Sequence, residues 1–288
     1  MAEEAFTSDW LALREPVDHR SRATELVAPL SEWFGARPSR HVLDLGSGTG
    51  SNLRYLAPRL PGEQRWTLVD RDAALLDRAT GEALTVPGVA GVERITGELD
   101  REGLGLVAGA DLVTASALLD LVTHEWLERL VATCRAAGNA VLLSLTWDGT
   151  MTWSEARPDS NSDSHDEDYP NGDDDPNDAL VAEAVRSHQL RDKGMGPALG
   201  PAAAPAAESA FSAAGYDTRL LPSPWRLGTG DELLARALID GWEAAATEQR
   251  PEAARIIRGW AERRRATTAT PFDLEVGHVD LLALPPGP

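Results

Sequence analysis

The chain has 288 residues, 25% charged and 42% hydrophobic, a globular balance with length enough for one large domain and an ample core. No run approaches the ~18 apolar residues of a membrane span, and a single cysteine, Cys134, rules out an internal disulfide or a multi-cysteine metal site. A net charge of -19 disfavours a nucleic-acid partner, because phosphate backbones are held by basic surfaces. The opening Met-Ala-Glu-Glu has neither a basic start nor an apolar run, so no secretory signal is expected and a cytoplasmic home follows.

In chain order, Asp18 to Phe34 predicts a helix interrupted at Pro29, and residues 1–35 predict a helical N-terminal cap. His41 to Leu45 is a short apolar strand running into Gly46-Ser47-Gly48-Thr49-Gly50, followed by a helix that carries Leu53, Leu56 and Leu60. Strands are expected at Trp66–Asp70, Val92–Leu99, Asp111–Ser116 and Ala140–Leu145, with helices from about Asp72 and from Thr123 to Ala136. Near-continuous apolar strands alternating with helices predict a parallel sheet covered on both faces, with residues 36–147 as the ligand-binding core. After Trp147 the periodicity stops. Residues 148–178 read as a flexible loop insertion with nine acids between Pro158 and Asp178. Residues 179–288 supply helices from Ala179, Ala206, Asp231 and Pro251, and strands at Asp217–Leu221 and Val276–Leu284.

The glycine loop is the most informative segment. Glycine lets backbone approach a ligand closely, and the helix behind it presents free N–H groups. Position 51 is Ser, so the Gly-x-Gly-x-x-Gly dinucleotide fingerprint fails, which disfavours a nicotinamide oxidoreductase. Asp44, two residues before the first glycine, suits a cationic ligand better than a pyrophosphate. Asp70, at the end of the next strand, either accepts from both hydroxyls of a ribose or only caps the following helix. Glu98, at the end of the third strand, can accept from an adenine amino group, with Asp100 as its competitor.

Asp44-x-Gly46-x-Gly48-x-Gly50, Asp70, Glu98-Leu99 and the strand Asp111–Ser116 together resemble the class I S-adenosylmethionine-dependent methyltransferases. The resemblance covers residues 18–146 and again the closing strands near 217–222 and 277–284. It implies a Rossmann-like α/β fold, a mostly parallel seven-stranded sheet with helices on both faces, plus a mainly helical cap. It implies that the three glycines wrap the methionine part of the cofactor, that Asp44 sits beneath its amino group, and that Asp70 holds the ribose. Glu98 and Leu99 would line the adenine, and Ala115 and Ser116 would close the site near the sulfonium. Ser47, Asn52 and Arg71 join these as cofactor-side candidates. S-adenosylmethionine, with S-adenosylhomocysteine as product, is the cofactor implied, and no metal is expected.

Acceptor-side candidates rest on position and chemistry. Asp120, after the fourth strand, and His188 are candidate proton acceptors, Asp120 being equally a helix cap. Trp10, Arg14, Trp147, Lys193 and Trp225 are candidate substrate contacts, with Trp10 and Arg14 in a segment preceding the first helix. Lys193 is the only lysine in an arginine-rich chain, which either reflects genome composition or marks a task that arginine cannot do. Asp159-x-Asn161-x-Asp163 fails as a calcium loop, having Ser164 and Pro170 where Gly and Glu are needed. Arg263-Arg264-Arg265 ends a helix and complements its dipole. The expected activity is methyl transfer to O or N of a small molecule, such as a heterocyclic or specialised metabolite, by a monomer or homodimer. An RNA or protein methyltransferase and a non-catalytic cofactor-binding protein are the alternatives.

Overall fold

The computed structural model describes residues 7–155 and 175–286. The chain runs α1 (Ser8–Ser21), a 3-10 turn (Thr24–Leu26), α2 (Val27–Gly35), β1 (His41–Leu45), α3 (Ser51–Leu56), β2 (Gln64–Asp70), α4 (Ala73–Ala83) and β3 (Val89–Thr96). A π-helical turn (Leu99–Gly103) leads into the short α5 (Leu104–Leu106), then β4 (Leu112–Ser116), α6 (His124–Ala137), β5 (Ala140–Glu155), α7 (Asp178–Gln189), α8 (Ala203–Ala213), β6 (Asp217–Pro222), β7 (Trp225–Leu227), α9 (Glu232–Gln249), α10 (Ala254–Thr267) and β8 (Phe272–Leu284).

The strands form one eight-stranded sheet in the order β3-β2-β1-β4-β5-β8-β6, with β7 paired to β8 off this path. Strands β1 to β5 are mutually parallel, and β8 runs antiparallel to β5, β6 and β7. The eighth strand is the three-residue β7, too short to leave a periodic signal. Alternate residues feed opposite layers. Leu43, Leu45, Val113 and Val141 pack beneath α6 and α8, while Val42, Leu112, Ala140 and Leu142 pack against α2, α3 and α4. Strand order reverses between β1 and β4, and such a reversal opens a crevice at the carboxyl ends of the strands.

A third apolar cluster lies beyond the sheet. It joins α1, α7, α9 and α10 to β7 and the distal halves of β5 and β8, and it holds Trp147, Trp153, Trp225, Trp242 and Trp260. The break expected after Trp147 is therefore corrected, because β5 continues to Glu155. Asp148-Gly149 marks a bulge, where the register against β8 shifts between Trp147 and Met151. Gly277 lies across from it, and a Cβ there would collide with the Thr150 hydroxyl and the Asp148 carboxylate, so a larger residue would have to displace both. Residues 156–174, including the acidic stretch and the failed calcium loop, lie outside the described residues.

Three more boundaries differ from expectation. Trp10 to Pro16 lies within α1, whose N-cap Thr7 accepts from the Trp10 amide at 3.2 Å. Pro29 does not kink a long helix. The helix has already stopped at Ser21, and Pro29 sits in the first turn of α2, where a missing N–H costs nothing. Strand β3 ends at Thr96, which leaves Glu98 and Leu99 in the turn behind it. Among the described residues no helix is long and apolar enough to cross a membrane.

Candidate active site

A cavity of about 590 Å³ occupies the crevice at the carboxyl ends of β1, β2 and β4. Its floor is the glycine loop. The Ser47 amide donates to Val69 O at 3.0 Å, the Gly48 amide to Asp70 Oδ2 at 2.8 Å and the Asp72 amide to Asp70 Oδ1 at 3.0 Å. Asp70 thus straps the loop to the end of β2, and its carboxylate keeps lone pairs facing the cavity. The helix cap belongs to Asp72, whose Oδ1 accepts from Ala74 and Leu75 at the start of α4. Gly48 has φ +51°, and a Cβ there would meet Leu11 Cδ1 of α1 at 3.1 Å. The loop and α1 therefore close on each other only around a glycine.

Asp44 lies beneath the loop with no exposure, opposite Thr114 of β4 in register. Asn52 Nδ2 donates to Asp44 Oδ1 at 2.8 Å and to Thr114 Oγ1 at 3.1 Å, and the Thr114 hydroxyl donates to Leu142 O at 2.8 Å. Asp44 Oδ2 has no hydrogen-bond partner among the described residues. Burial pushes this carboxyl up to about 7, against the Asn52 hydrogen bond and the Arg22 charge, with Asp70 adding to the rise. An unpaired buried carboxylate oxygen at the base of a ligand cavity fits an ammonium donor. That is the group the implied cofactor presents, so the residues present fit it.

The opposite wall comes from three distant segments. Arg14 of α1 forks onto Asp18 at 2.9 and 3.1 Å and lies 4.9 Å from the Trp225 ring centroid. Burial raises the Asp18 carboxyl, with Arg14 opposing. His188 of α7 is buried, and its Nε2 faces Glu248 Oε2 of α9 at 3.2 Å, while Arg191 Nη1 donates to Glu248 Oε1 at 2.5 Å. These two hydrogen bonds hold the Glu248 carboxyl below its usual range. A carboxylate against Nε2 fixes the proton there, and His188 Nδ1 is left as a buried acceptor with no partner among the described residues. Asp192 Oδ1 accepts from the Gly194 and Gly196 amides at 2.7 and 2.9 Å and folds the turn that brings Lys193 and Met195 to the cavity. Leu118, Leu121 and Val122 supply the apolar side behind β4.

Of the residues singled out from the sequence, Asp44, Gly46, Ser47, Gly48, Asn52, Asp70, Arg71, Glu98, Leu99, Ser116, Arg14, His188 and Lys193 line this one cavity. Asp100 is turned away and paired with Arg129 of α6. Gly50 instead seats α3, where a Cβ would approach Ala79 Cβ at 3.1 Å, and Ala115 is buried in β4. Trp147 and Trp225 are strand residues 8% and 2% exposed, and Trp10 packs against the same tryptophan-rich core, so all three are corrected from cavity contacts to packing. Asp120 is also off the cavity wall. Burial raises its carboxyl to about 6, opposed by its own and the Trp147 amides and by the charges of Arg14 and Lys193. The run Arg263–Arg265 is occupied by acids: Asp175, Asp178, and Asp240 with Glu243.

Leu11 and Asp18 were missed, although with Arg14 they recur at helical spacing on α1, a signal that becomes readable once α1 is extended to Ser8. Glu248, sixty residues from His188, gave none.

Residues 42–138 match the family model described as a methyltransferase domain. No curated protein sequence matches the chain. Among solved structures the chain is similar to a SAM-dependent methyltransferase from Geobacter sulfurreducens in complex with S-adenosyl-L-homocysteine, at 17% identity and TM-score 0.45 over 97% of this chain and 99% of that one. It is similar to a SAM-dependent methyltransferase from Thiobacillus denitrificans in complex with the same molecule, at 17% identity and TM-score 0.41 over 97% and 99%. It is also similar to a cyclopropane synthase from Mycobacterium tuberculosis, at 12% identity and TM-score 0.48 over 96% and 94%. The matched segment runs from β1 through the glycine loop, Asp70 and β4 to the end of α6, and it is this segment that is similar to a methyltransferase domain.

Proposed function

We propose that the chain binds S-adenosylmethionine at the glycine-loop end of the cavity and transfers its methyl group to an oxygen or nitrogen of a small-molecule acceptor at the His188 end. The observation that carries this reading is the unpaired, fully buried Oδ2 of Asp44 beneath the loop, with Asp70 at the neighbouring strand end. Asp44 would accept from the cofactor's ammonium group, Asp70 from its ribose hydroxyls, and Glu98 and Leu99 would border its adenine. When bound, the sulfonium supplies the activated methyl group. What remains for the protein is to align the acceptor and take its proton. His188 suits that task, with Glu248 holding the ring so that Nδ1 receives the proton. Asp120, the other candidate, is set apart by its absence from the cavity wall. A cavity of about 590 Å³ is in the range of small-molecule sites, about 300–1,000 Å³, and the net charge of -19 supports the same class over nucleic acid.

Calorimetric titration with S-adenosylmethionine, with NAD as comparison ligand, tests the cofactor. Micromolar binding of the first and none of the second is expected, and no binding to folded, ligand-free protein would remove the reading. For the base, His188→Asn should lower the methyl-transfer rate by roughly 10²–10⁴-fold and leave cofactor affinity unchanged. An unchanged rate would exclude His188.

A further inference from the structure

A buried cation, Arg22, reaches the floor of the cavity from the segment between α1 and the 3-10 turn. Its side chain is 4% exposed, and its donors fan out to three elements. Nε donates to Asp280 of β8 at 3.2 Å, Nη2 to the Ser144 hydroxyl of β5 at 2.5 Å, and Nη1 to Asn52 Oδ1 of α3 at 3.0 Å. The last contact decides which way the Asn52 amide faces. With Oδ1 held by a guanidinium, Nδ2 must point the other way, and that is the atom that donates to Asp44. Were the amide reversed, a carbonyl oxygen would face the Asp44 carboxylate, which would then need a proton and could no longer accept from an ammonium group.

We propose that Arg22 is a positioning residue for the amino-acid end of the cofactor, acting through the orientation of Asn52 on the Asp44 carboxylate. This rests on the reading that the glycine-loop end of the cavity takes S-adenosylmethionine. Arg22 is in turn fixed by Asp280, a carboxylate 1% exposed that also accepts from the Ala23 and Leu145 amides and the Ser223 hydroxyl at 3.1, 2.7 and 2.7 Å. The segment leaving α1, the register shift of β5 between Leu143 and Thr146 and the turn before β7 therefore converge on one carboxylate, which holds the guanidinium that sets the ligand-facing acid.

The test compares two ligands that share an adenosine and differ at the amino acid: S-adenosylhomocysteine, with its ammonium group, and methylthioadenosine, without one. Arg22→Met should weaken S-adenosylhomocysteine tenfold or more and leave methylthioadenosine within about twofold of wild type. Arg22→Lys, which keeps a cationic donor, should recover part of the loss. Asn52→Ala cuts the relay below Arg22 and leaves the Asp280 contact intact, so it keeps the test valid if Arg22→Met does not fold. It should give the same split, and the double variant should be no weaker than Asn52→Ala alone, because the two residues act in series. Equal loss of both ligands, no loss of either, or additive losses would each overturn the proposal. If wild type binds neither ligand, the cofactor reading itself falls and the proposal with it.

Discussion

Asp44 should leave its mark on the stability of the ligand-free protein. Burial lifts its carboxyl from 3.8 to about 7. Between those values the folded chain keeps a proton that the unfolded chain releases. Stability from this group is therefore full below about pH 4 and is lost as pH rises through 7. At ~1.4 kcal/mol per pH unit, that climb costs about 4 kcal/mol. Asp44→Asn cannot ionise, so the difference in unfolding free energy between variant and wild type should widen by about 3 kcal/mol, in the variant's favour, from pH 4.5 to 8, the first ~1 kcal/mol having been lost below pH 4.5. Fixed costs of the variant, such as an amide N–H with no acceptor, offset every pH equally and drop out of this change. Urea unfolding of both proteins across the range, without ligand, reads it directly. A difference that stays constant to within about 1 kcal/mol would refute the argument, since the carboxyl would then titrate normally. Saturating S-adenosylhomocysteine should flatten the wild-type decline, because a bound ammonium favours the ionised form that burial opposes.

Two further outcomes follow from the geometry. Asp70→Ala removes both the anchor of the Gly48 amide and the acceptor at the end of β2, and should weaken S-adenosylhomocysteine at least tenfold in a calorimetric titration. Burial and the nearby Arg14 charge push His278 down to about 3, with its Nδ1 at 3.0 Å from Val276 O. The folded protein therefore binds fewer protons than the unfolded chain below about pH 6.5, and stability is lost as pH falls. His278→Gln should spare about 2 kcal/mol of that loss between pH 6.5 and 4.5, read from urea midpoints.

What could be read from the sequence is what short stretches settle by themselves. β1, the glycine loop and Asp70 lie within thirty residues, and each is specified by neighbours along the chain: apolar residues on both strand faces, glycines where φ is positive, an acid at the strand end. Elements decided by distant partners were read wrongly. The sequence places the end of β5 at Leu145, because apolar periodicity stops after Trp147 and residues 148–178 are polar, whereas the strand persists to Glu155 through pairing with β8 as far as Phe272. The tryptophans of the cap drew a binding role for the same reason. An aromatic among polar residues reads as a surface stacker until the helices that bury it, α7, α9 and α10, are folded over it. The start of α1 at Ser8 has a weak sequence signal because its cavity face carries Arg14, paired with Asp18, where an apolar residue would announce a helix.

The same substitution of charge for apolar surface recurs through the interior, and it bears on what the site requires. Arg22, Asp44, Asn52, Thr114, Ser144 and Asp280 are all buried. Well-packed hydrophobic residues commonly serve stability as well as a buried ion pair does, so the gain from such a network has to be sought elsewhere. Here it runs as an unbroken series of hydrogen bonds from Asp280, through Arg22 and Asn52, to the one carboxylate oxygen that is left unpaired beneath the glycine loop. Of the buried side-chain polar atoms in that series, this one alone lacks a hydrogen-bond partner among the described residues. A packed apolar core would hold β1 and α3 together equally well, but it would give Asp44 no fixed direction. The network's cost is the roughly 4 kcal/mol carried by Asp44 above neutral pH. A cationic ligand arriving at Oδ2 would relieve that cost, and the relief is itself binding energy for a molecule with an ammonium group.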